Sequence, residues 1–330
     1  MSPRVSVLMP VFNGGPYLAA AIESVQAQTF EDFELVIVDD GSTDGSAEKI
    51  ADFAARDRRI RAYWKGNSGI SETLNRGIAE ARGDWIARLD ADDIMLPRRL
   101  ERQMAFVSTQ SEIVAAGSNY DIIDERGRHC ATLRPLPRSR DELQRFLAAR
   151  EPLAFTHPTM IYRRDIAAGL GGYRREYEPC EDTELFARMI AAGGVILIQP
   201  EVLTLYRVHA GAASRRQAVQ MFLKRHFVYH NFYRERDGQS AESYEEFIAS
   251  RARLPIAGRL RFARDYLSDA FYRAYTTELV AHHPIRAASF LAVAAALKPW
   301  KALKRASRAV AARMAIVPGQ GRNSRSGSRA

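Results

Sequence analysis

Cysteine is nearly absent from this chain of 330 residues: only Cys130 and Cys180 occur. They stand in no metal-ligand spacing, which argues against a structural zinc, and so few thiols point to a reducing compartment. Long apolar runs are missing as well. No stretch reaches the roughly 18 uninterrupted apolar residues of a membrane-spanning helix. The first apolar run, Val5 to Val11, is short and broken by Pro10, so it does not read as a secretory signal. Together these absences predict a cytoplasmic protein, with at most peripheral contact to the inner face of a membrane. Negative charge is in deficit: 48 lysines and arginines face 39 acidic residues, a net charge of +9. That excess calls for an anionic partner, whether a phosphorylated small molecule, an anionic lipid or a nucleic acid. The basic residues are not interleaved with a recognisable nucleic-acid motif, and nucleic acid is not expected.

What is present is an alternation. Val5 to Val11 reads as a buried strand, and Tyr17 to Gln28 as a helix with Leu18, Ile22 and Val25 on one face. Phe33 to Val38 is a second buried strand, followed by the turn Gly41-Ser42-Thr43-Asp44-Gly45 and a helix carrying Ile50 and Phe53. Ile60 to Trp64 is a short strand, Ile70 to Ala81 a helix stopped by Gly83, and Trp85 to Leu89 another strand. Pro97 is expected to open the next helix at its first position. This pattern predicts an α/β fold: a doubly wound, mostly parallel sheet with helices on both faces. Ligands of such sheets bind beyond the carboxyl ends of the strands. Short strands and helices mix as far as about Arg207. After Ala210 long helical patterns rich in arginine and aromatics take over. The expected division is 1–210 for the α/β unit, with nucleotide binding in its first half, 211–318 for a helical appendage, and a disordered basic tail over 319–330.

Three acidic constellations fall where chemistry is expected. In Leu89-Asp90-Ala91-Asp92-Asp93-Ile94, three carboxylates crowd into four residues at a strand end. Their repulsion must be offset, and a hard cation with oxygen ligands does so; Mg2+ or Mn2+ could bridge such carboxylates to a diphosphate. The competing reading is a solvated turn that caps the next helix. In Val38-Asp39-Asp40-Gly41-Ser42-Thr43-Asp44, aspartates before a glycine turn suit ribose hydroxyls or a base N–H, or else a helix cap. In Cys180-Glu181-Asp182-Thr183-Glu184, a carboxylate at a helix start is either a cap or a general base that the helix end keeps ionised.

These segments, with Val5 to Asn13 before them and Asn75-Arg76-Gly77-Ile78-Ala79 between, resemble family 2 glycosyltransferases in order and separation. The resemblance covers Pro3 to Ser214. It implies a GT-A fold and an inverting transfer from a nucleotide-sugar, a UDP-sugar on this reading, to an acceptor hydroxyl. It places Pro10, Phe12, Asp39, Asp40 and Asp92 at the nucleotide, Asp92 and Asp93 at a divalent metal, and Asp182 as the catalytic base. Tyr206-Arg207-Val208-His209 resembles the segment that closes the catalytic domain, where His209 is either a further metal or diphosphate contact or a surface histidine. The Gln-x-x-Arg-Trp motif of processive synthases is absent. The implied setting is cell-surface glycan or polysaccharide biosynthesis, with a glycan or lipid-linked acceptor. The alternatives are a nucleotidyltransferase or another nucleotide-binding α/β enzyme. A dinucleotide oxidoreductase is disfavoured because Asn13-Gly14-Gly15, not G-x-G-x-x-G, follows the first strand. A nucleotidyltransferase would carry a glycine-rich basic loop there.

The tail has its own pattern. Leu303, Ala306, Val310, Met314 and Val317 recur at helical spacing, with Lys301, Lys304, Arg305 and Arg308 on the other side. An amphipathic basic helix over 301–317 fits an anionic membrane surface, and Phe290, Leu291, Val293, Leu297 and Trp300 are expected to extend the contact. The alternative is a helix packed on the catalytic unit.

Overall fold

The computed structural model describes residues 2–153, 155–209, 211, 217–280 and 283–299. The expected helix over 301–317 and the basic tail lie outside the described residues.

The first half is built as the alternation predicts. Strands β1 (Val5–Val11), β2 (Phe33–Asp39), β3 (Ile60–Trp64) and β4 (Trp85–Arg88) alternate with helices α1 (Leu18–Gln26), α2 (Ser46–Arg56) and α3 (Ile70–Glu80). All seven residues of β1 and of β2 are buried, as expected of strands covered on both faces. The four strands are parallel, in the order β3-β2-β1-β4. Pro10 fits this central strand because β4 pairs only with Val5 to Leu8, so proline lies past that ladder. Helix α3 lies hard on β1: a Cβ at Gly77 would stand 2.1 Å from Leu8 Cδ1.

Pro97 does not open a helix. It occupies a turn closed by a bond from Arg99 N–H to the Leu96 carbonyl (2.9 Å), and α4 begins at Arg99 and ends at Val107. Proline's fixed φ suits the second position of such a turn as well as the first of a helix.

The second half departs from a parallel sheet. Strands β5 (Ile94–Met95), β6 (Ile113–Ile123), β7 (His129–Leu133), β8 (Ile161–Arg163) and β9 (Val195–Arg207) extend it to β3-β2-β1-β4-β8-β6-β9-β5, with β7 on β6. Of these pairings only β6 with β9 is parallel. The sheet is therefore mixed, and its helices include α5 (Arg140–Ala148), α6 (Arg164–Gly169) and α7 (Glu181–Ala191). One pairing decides the geometry of the site. The two residues of β5, directly after Asp93, pair with Thr204 and Leu205 near the end of β9. That draws Arg207 and His209 across to the acidic loop.

Helices α8 (Ala218–Arg236), α9 (Tyr244–Ala252), α10 (Ile256–Val280) and α11 (Pro284–Leu297) complete the described chain. Phe227 of α8 stacks on Tyr177 (5.2 Å between centroids) and meets Phe247 of α9 (5.4 Å). Phe227, Phe232 and Phe247 belong to the same core as the sheet. Helices α10 and α11 form an antiparallel hairpin, tied by Lys298 to Asp265 (2.7 Å) and by Phe290 against Phe271 (6.1 Å).

Candidate active site

Strand β4 delivers the acidic loop. Carboxylate oxygens of Asp90, Asp92 and Asp93 lie within 4.8 Å of one another. Each has one protein partner. The Arg88 guanidinium donates to Asp90 at 2.5 Å, His209 Nε2 lies 2.9 Å from Asp92 Oδ2, and Arg207 N–H donates to Asp93 Oδ1 at 2.7 Å. The second oxygen of Asp93 is buried and, among the described residues, has no partner. Burial, then repulsion from Asp92 and Asp90, raises the Asp93 carboxyl well above the ordinary range. Burial also raises Asp90, against the pull of Arg88. The protein thus offsets part of the repulsion itself, which tempers the expectation that only a cation could do so. The buried, partnerless oxygen of Asp93 nevertheless fits a hard cation, because it costs free energy in its present state and oxygen is the donor such ions take.

Two arginines frame this loop. Arg88 is 2% exposed, and its carbonyl is held by Arg99, itself fully buried, at 2.9 Å. Arg207 donates to the carbonyls of Asp92 (2.9 Å) and Asp124 (3.1 Å) and lies over the Tyr17 ring at 4.6 Å. His209 packs against the same tyrosine, 5.0 Å between centroids. The histidine is therefore part of the acidic site and not an isolated surface group.

The pair after β2 is held differently. Asp39 accepts from Ser42 N–H (3.3 Å) and from the Ser42 hydroxyl. Asp40 accepts from Ser68 N–H (2.9 Å), Gly69 N–H (3.0 Å) and the Lys65 ammonium. Neither caps α2, whose N-cap is Gly45 with no side-chain bond. Gly41 must be glycine: its φ is +79°, and a Cβ would meet Asn67 N at 2.9 Å. Pro10 is buried within β1, while Phe12, just past the strand, is 54% exposed beside this pair's loop. Asn13 links the loops after β1 and β2, donating to Ser42 Oγ (2.8 Å) and accepting from Thr43 N–H (2.8 Å).

Asp182 lies in the first turn of α7 and accepts from Thr183 N–H at 2.6 Å. Burial pushes it up to about 6, opposed by the Thr183 bonds and by the Arg88 charge, with Asp90 raising it further. The helix end was expected to keep this carboxylate fully ionised; burial outweighs that effect, although the ionised form still predominates near neutral pH. The charges of Arg88 and Asp90 therefore act on Asp182, which links the third constellation electrostatically to the acidic loop. Beside it Glu181 is 7% exposed, with one oxygen buried and without a partner among the described residues, and burial followed by the Asp182 charge pushes it up to about 8.

Arg88, Tyr17 and Lys65 were not among the site residues the sequence singled out, and Arg207 was marked only as part of the segment that closes the catalytic domain. Arg88 did carry a signal, being a charge within the buried run Trp85-Ile86-Ala87-Arg88-Leu89. Tyr17 and Lys65 are marked by no local pattern.

A mixed α/β sheet with three carboxylates, a buried acid pair and a helix-start carboxylate at its strand ends has the GT-A type of architecture. The model of the glycosyl transferase family 2 matches residues 6–171, about half of the chain, and the chain belongs to that family and is a glycosyltransferase. The Bacillus subtilis glycosyltransferase EpsE is 34% identical over 219 residues, covering 65% of this chain and 76% of EpsE. The amylovoran biosynthesis glycosyltransferase AmsE of Erwinia amylovora is 28% identical over 215 residues, covering 64% of this chain and 79% of AmsE. Among solved structures, the mannosyltransferase PcManGT of Pyrobaculum calidifontis, in complex with GDP-Man and Mn2+, aligns with a TM-score of 0.55 at 18% identity, over 96% of this chain and 81% of that one. Residues 1–349 of S. aureus TarS, in complex with UDP-GlcNAc, also align at 0.55, with 14% identity over 91% and 92%. At such identities the two structures speak for the fold alone.

Proposed function

We propose that this glycosyltransferase moves a sugar from a UDP-sugar to an acceptor hydroxyl with inversion, with a divalent ion, Mg2+ or Mn2+, at Asp92 and Asp93. The observation that carries the reading is the partnerless, buried oxygen of Asp93 among three converging carboxylates. When bound, the ion would supply positive charge against the diphosphate leaving group. His209, on Asp92, is a further candidate ligand. Asp39 and Asp40 hold the nucleoside end. Three protein donors occupy Asp40, and a carboxylate has about four acceptor positions, which leaves room for one base N–H. Phe12 offers an exposed ring to the base, and Pro10 stiffens the strand beneath it.

Asp182 takes the proton from the acceptor hydroxyl as that oxygen attacks the anomeric carbon. A carboxylate near 6 is largely ionised at neutral pH yet basic enough to accept a proton. Arg88, fixed on Asp90, keeps the neighbourhood of the base from becoming wholly negative. No covalent intermediate is needed. The likeness to AmsE supports a place in polysaccharide biosynthesis, and on this reading the acceptor is a glycan or a lipid-linked precursor. We also assign residues 1–210 to the catalytic unit and 211–318 to an appendage.

A thermal-shift screen of nucleoside diphosphates and nucleotide-sugars, with and without Mn2+, tests this. UDP should stabilise the protein more with Mn2+ than without, and more than other nucleotides do. No shift with any nucleotide would refute the reading; a larger shift with GDP would move the donor to a guanosine sugar.

A further inference from the structure

The charge of this chain is segregated. Ten of its 48 lysines and arginines lie after His283, and none of its 39 acidic residues does. Without that final stretch the remaining 38 basic and 39 acidic residues nearly cancel. The whole positive excess therefore belongs to α11 and the chain beyond it, and not to the site that handles a nucleotide.

Helix α11 also has an unusual outer face. Its inner side, through Ala287 and Ala294, is buried against α10. Its outer side carries Ile285, Ala288, Ser289, Ala292, Val293 and Ala296, all exposed, with Arg286 at the margin. Ile285 is 85% exposed and Val293 41%. A solvent-facing helix side is normally charged or polar, and this one has one serine and no acid. Phe290, expected from sequence to join such a surface, is instead turned onto Phe271. At the other end of the hairpin Ile256 and Leu260 are 68% and 66% exposed, one turn apart, among exposed Arg253, Arg259 and Arg261. Lys298, just past α11, is tied to Asp265 of α10, and the sequence runs on into Lys301, Lys304, Arg305 and Arg308. Among the described residues, no helix is long and apolar enough to cross a membrane.

We propose that the outer face of α11, with the basic chain that follows it, docks this protein on the surface of a bilayer containing anionic lipid. An apolar face on a helix that carries no acidic residue and leads into a basic run matches the chemistry of that interface, where side chains enter the acyl boundary and cations meet lipid phosphates. A second copy of this chain is a poorer match, because two such faces would bring like charges together. The docking is independent of the donor site, so vesicle binding and sugar transfer can fail separately.

The test uses the full chain in co-sedimentation with vesicles of phosphatidylcholine alone and of phosphatidylcholine mixed with phosphatidylglycerol, at low and high salt. Binding should require the anionic lipid and weaken with salt. Ile285→Glu with Val293→Glu, and separately Lys301, Lys304, Arg305 and Arg308 all changed to Gln, should each lower affinity for the mixed vesicles at least about tenfold. Melting temperature should hold, since Ile285 and Val293 are exposed. Equal binding to both kinds of vesicle, no binding, or an α11 double variant that binds like the parent overturns the proposal. So does a parent dimer in light scattering that the α11 variant dissociates without any vesicle binding, which would make the face a contact between copies.

Discussion

Two acidic motifs stand at the ends of the two parallel strands that flank β1, and in sequence they look alike. The pair after β2 and the cluster after β4 are both aspartates at the carboxyl end of a buried strand. In space they are opposites. Asp39 and Asp40 are met by Ser42, Ser68, Gly69 and Lys65, so their negative charge stitches loops together. Asp90, Asp92 and Asp93 face one another, receive one protein partner each, and leave a buried oxygen of Asp93 without any. A carboxylate surrounded by N–H donors is a scaffold with a spare acceptor; carboxylates surrounded by carboxylates are a seat for positive charge.

The contrast is sharpest in the base. Asp182→Asn keeps the size and the accepting oxygen for Thr183 N–H. It should cut turnover about 100- to 10,000-fold, while the affinity for UDP by calorimetry stays within a few-fold. A parallel loss of UDP affinity would make Asp182 a binding residue.

Next in size, Asp93→Asn retains an oxygen for Arg207 N–H but removes the ionised oxygen a cation needs. Mn2+-dependent UDP binding should be lost in thermal shift, and the melting temperature of the free protein should stay level or rise, because a buried carboxyl among like charges is gone. Asp40→Ala should behave in the reverse way. It strands two backbone N–H groups and the Lys65 ammonium, so the free protein should lose about 1–3 kcal/mol in urea unfolding with or without metal. Should Asp93→Asn destabilise more than Asp40→Ala, the contrast between seat and scaffold collapses.

The smallest effect is in pH. Glu181 is held up to about 8 and Asp182 up to about 6, above their unfolded values. The folded state then binds more protons than the unfolded one. The stability this linkage contributes is complete below about pH 4 and is lost as pH rises through both folded values. Glu181→Gln cannot ionise, so its melting temperature relative to the parent should climb between about pH 5 and pH 8. A difference that is flat across that range would show that Glu181 is not held protonated.

The first half of the fold was legible because its signals are local. The runs from Val5 to Val11 and from Ile60 to Trp64 match β1 and β3 residue for residue. The spacing of Leu74 and Ile78 marks the buried side of α3. The second half was not legible in this way. Strands of two residues, as in β5, and of three, as in β8, are too short to show a period. Their antiparallel pairing depends on partners far away in sequence. The acidic residues of the site could all be named in advance, since crowded like charge is visible in one dimension. Which partner each of them meets could not: the Arg207 N–H reaches Asp93 across 114 positions and His209 reaches Asp92 across 117.

By itself the sequence determined an α/β chain with carboxylates at the ends of its strands, because hydrophobic period and local charge are properties of neighbouring residues. It also determined that the positive excess gathers at the C-terminal end. Only the tertiary structure decided which carboxylates are satisfied and which are left wanting a partner, that His209 belongs to the site, and that α11 turns its apolar side outward. Those are outcomes of long-range packing, in which two residues of β5 pairing with the end of β9 bring a hundred-residue separation down to a hydrogen bond.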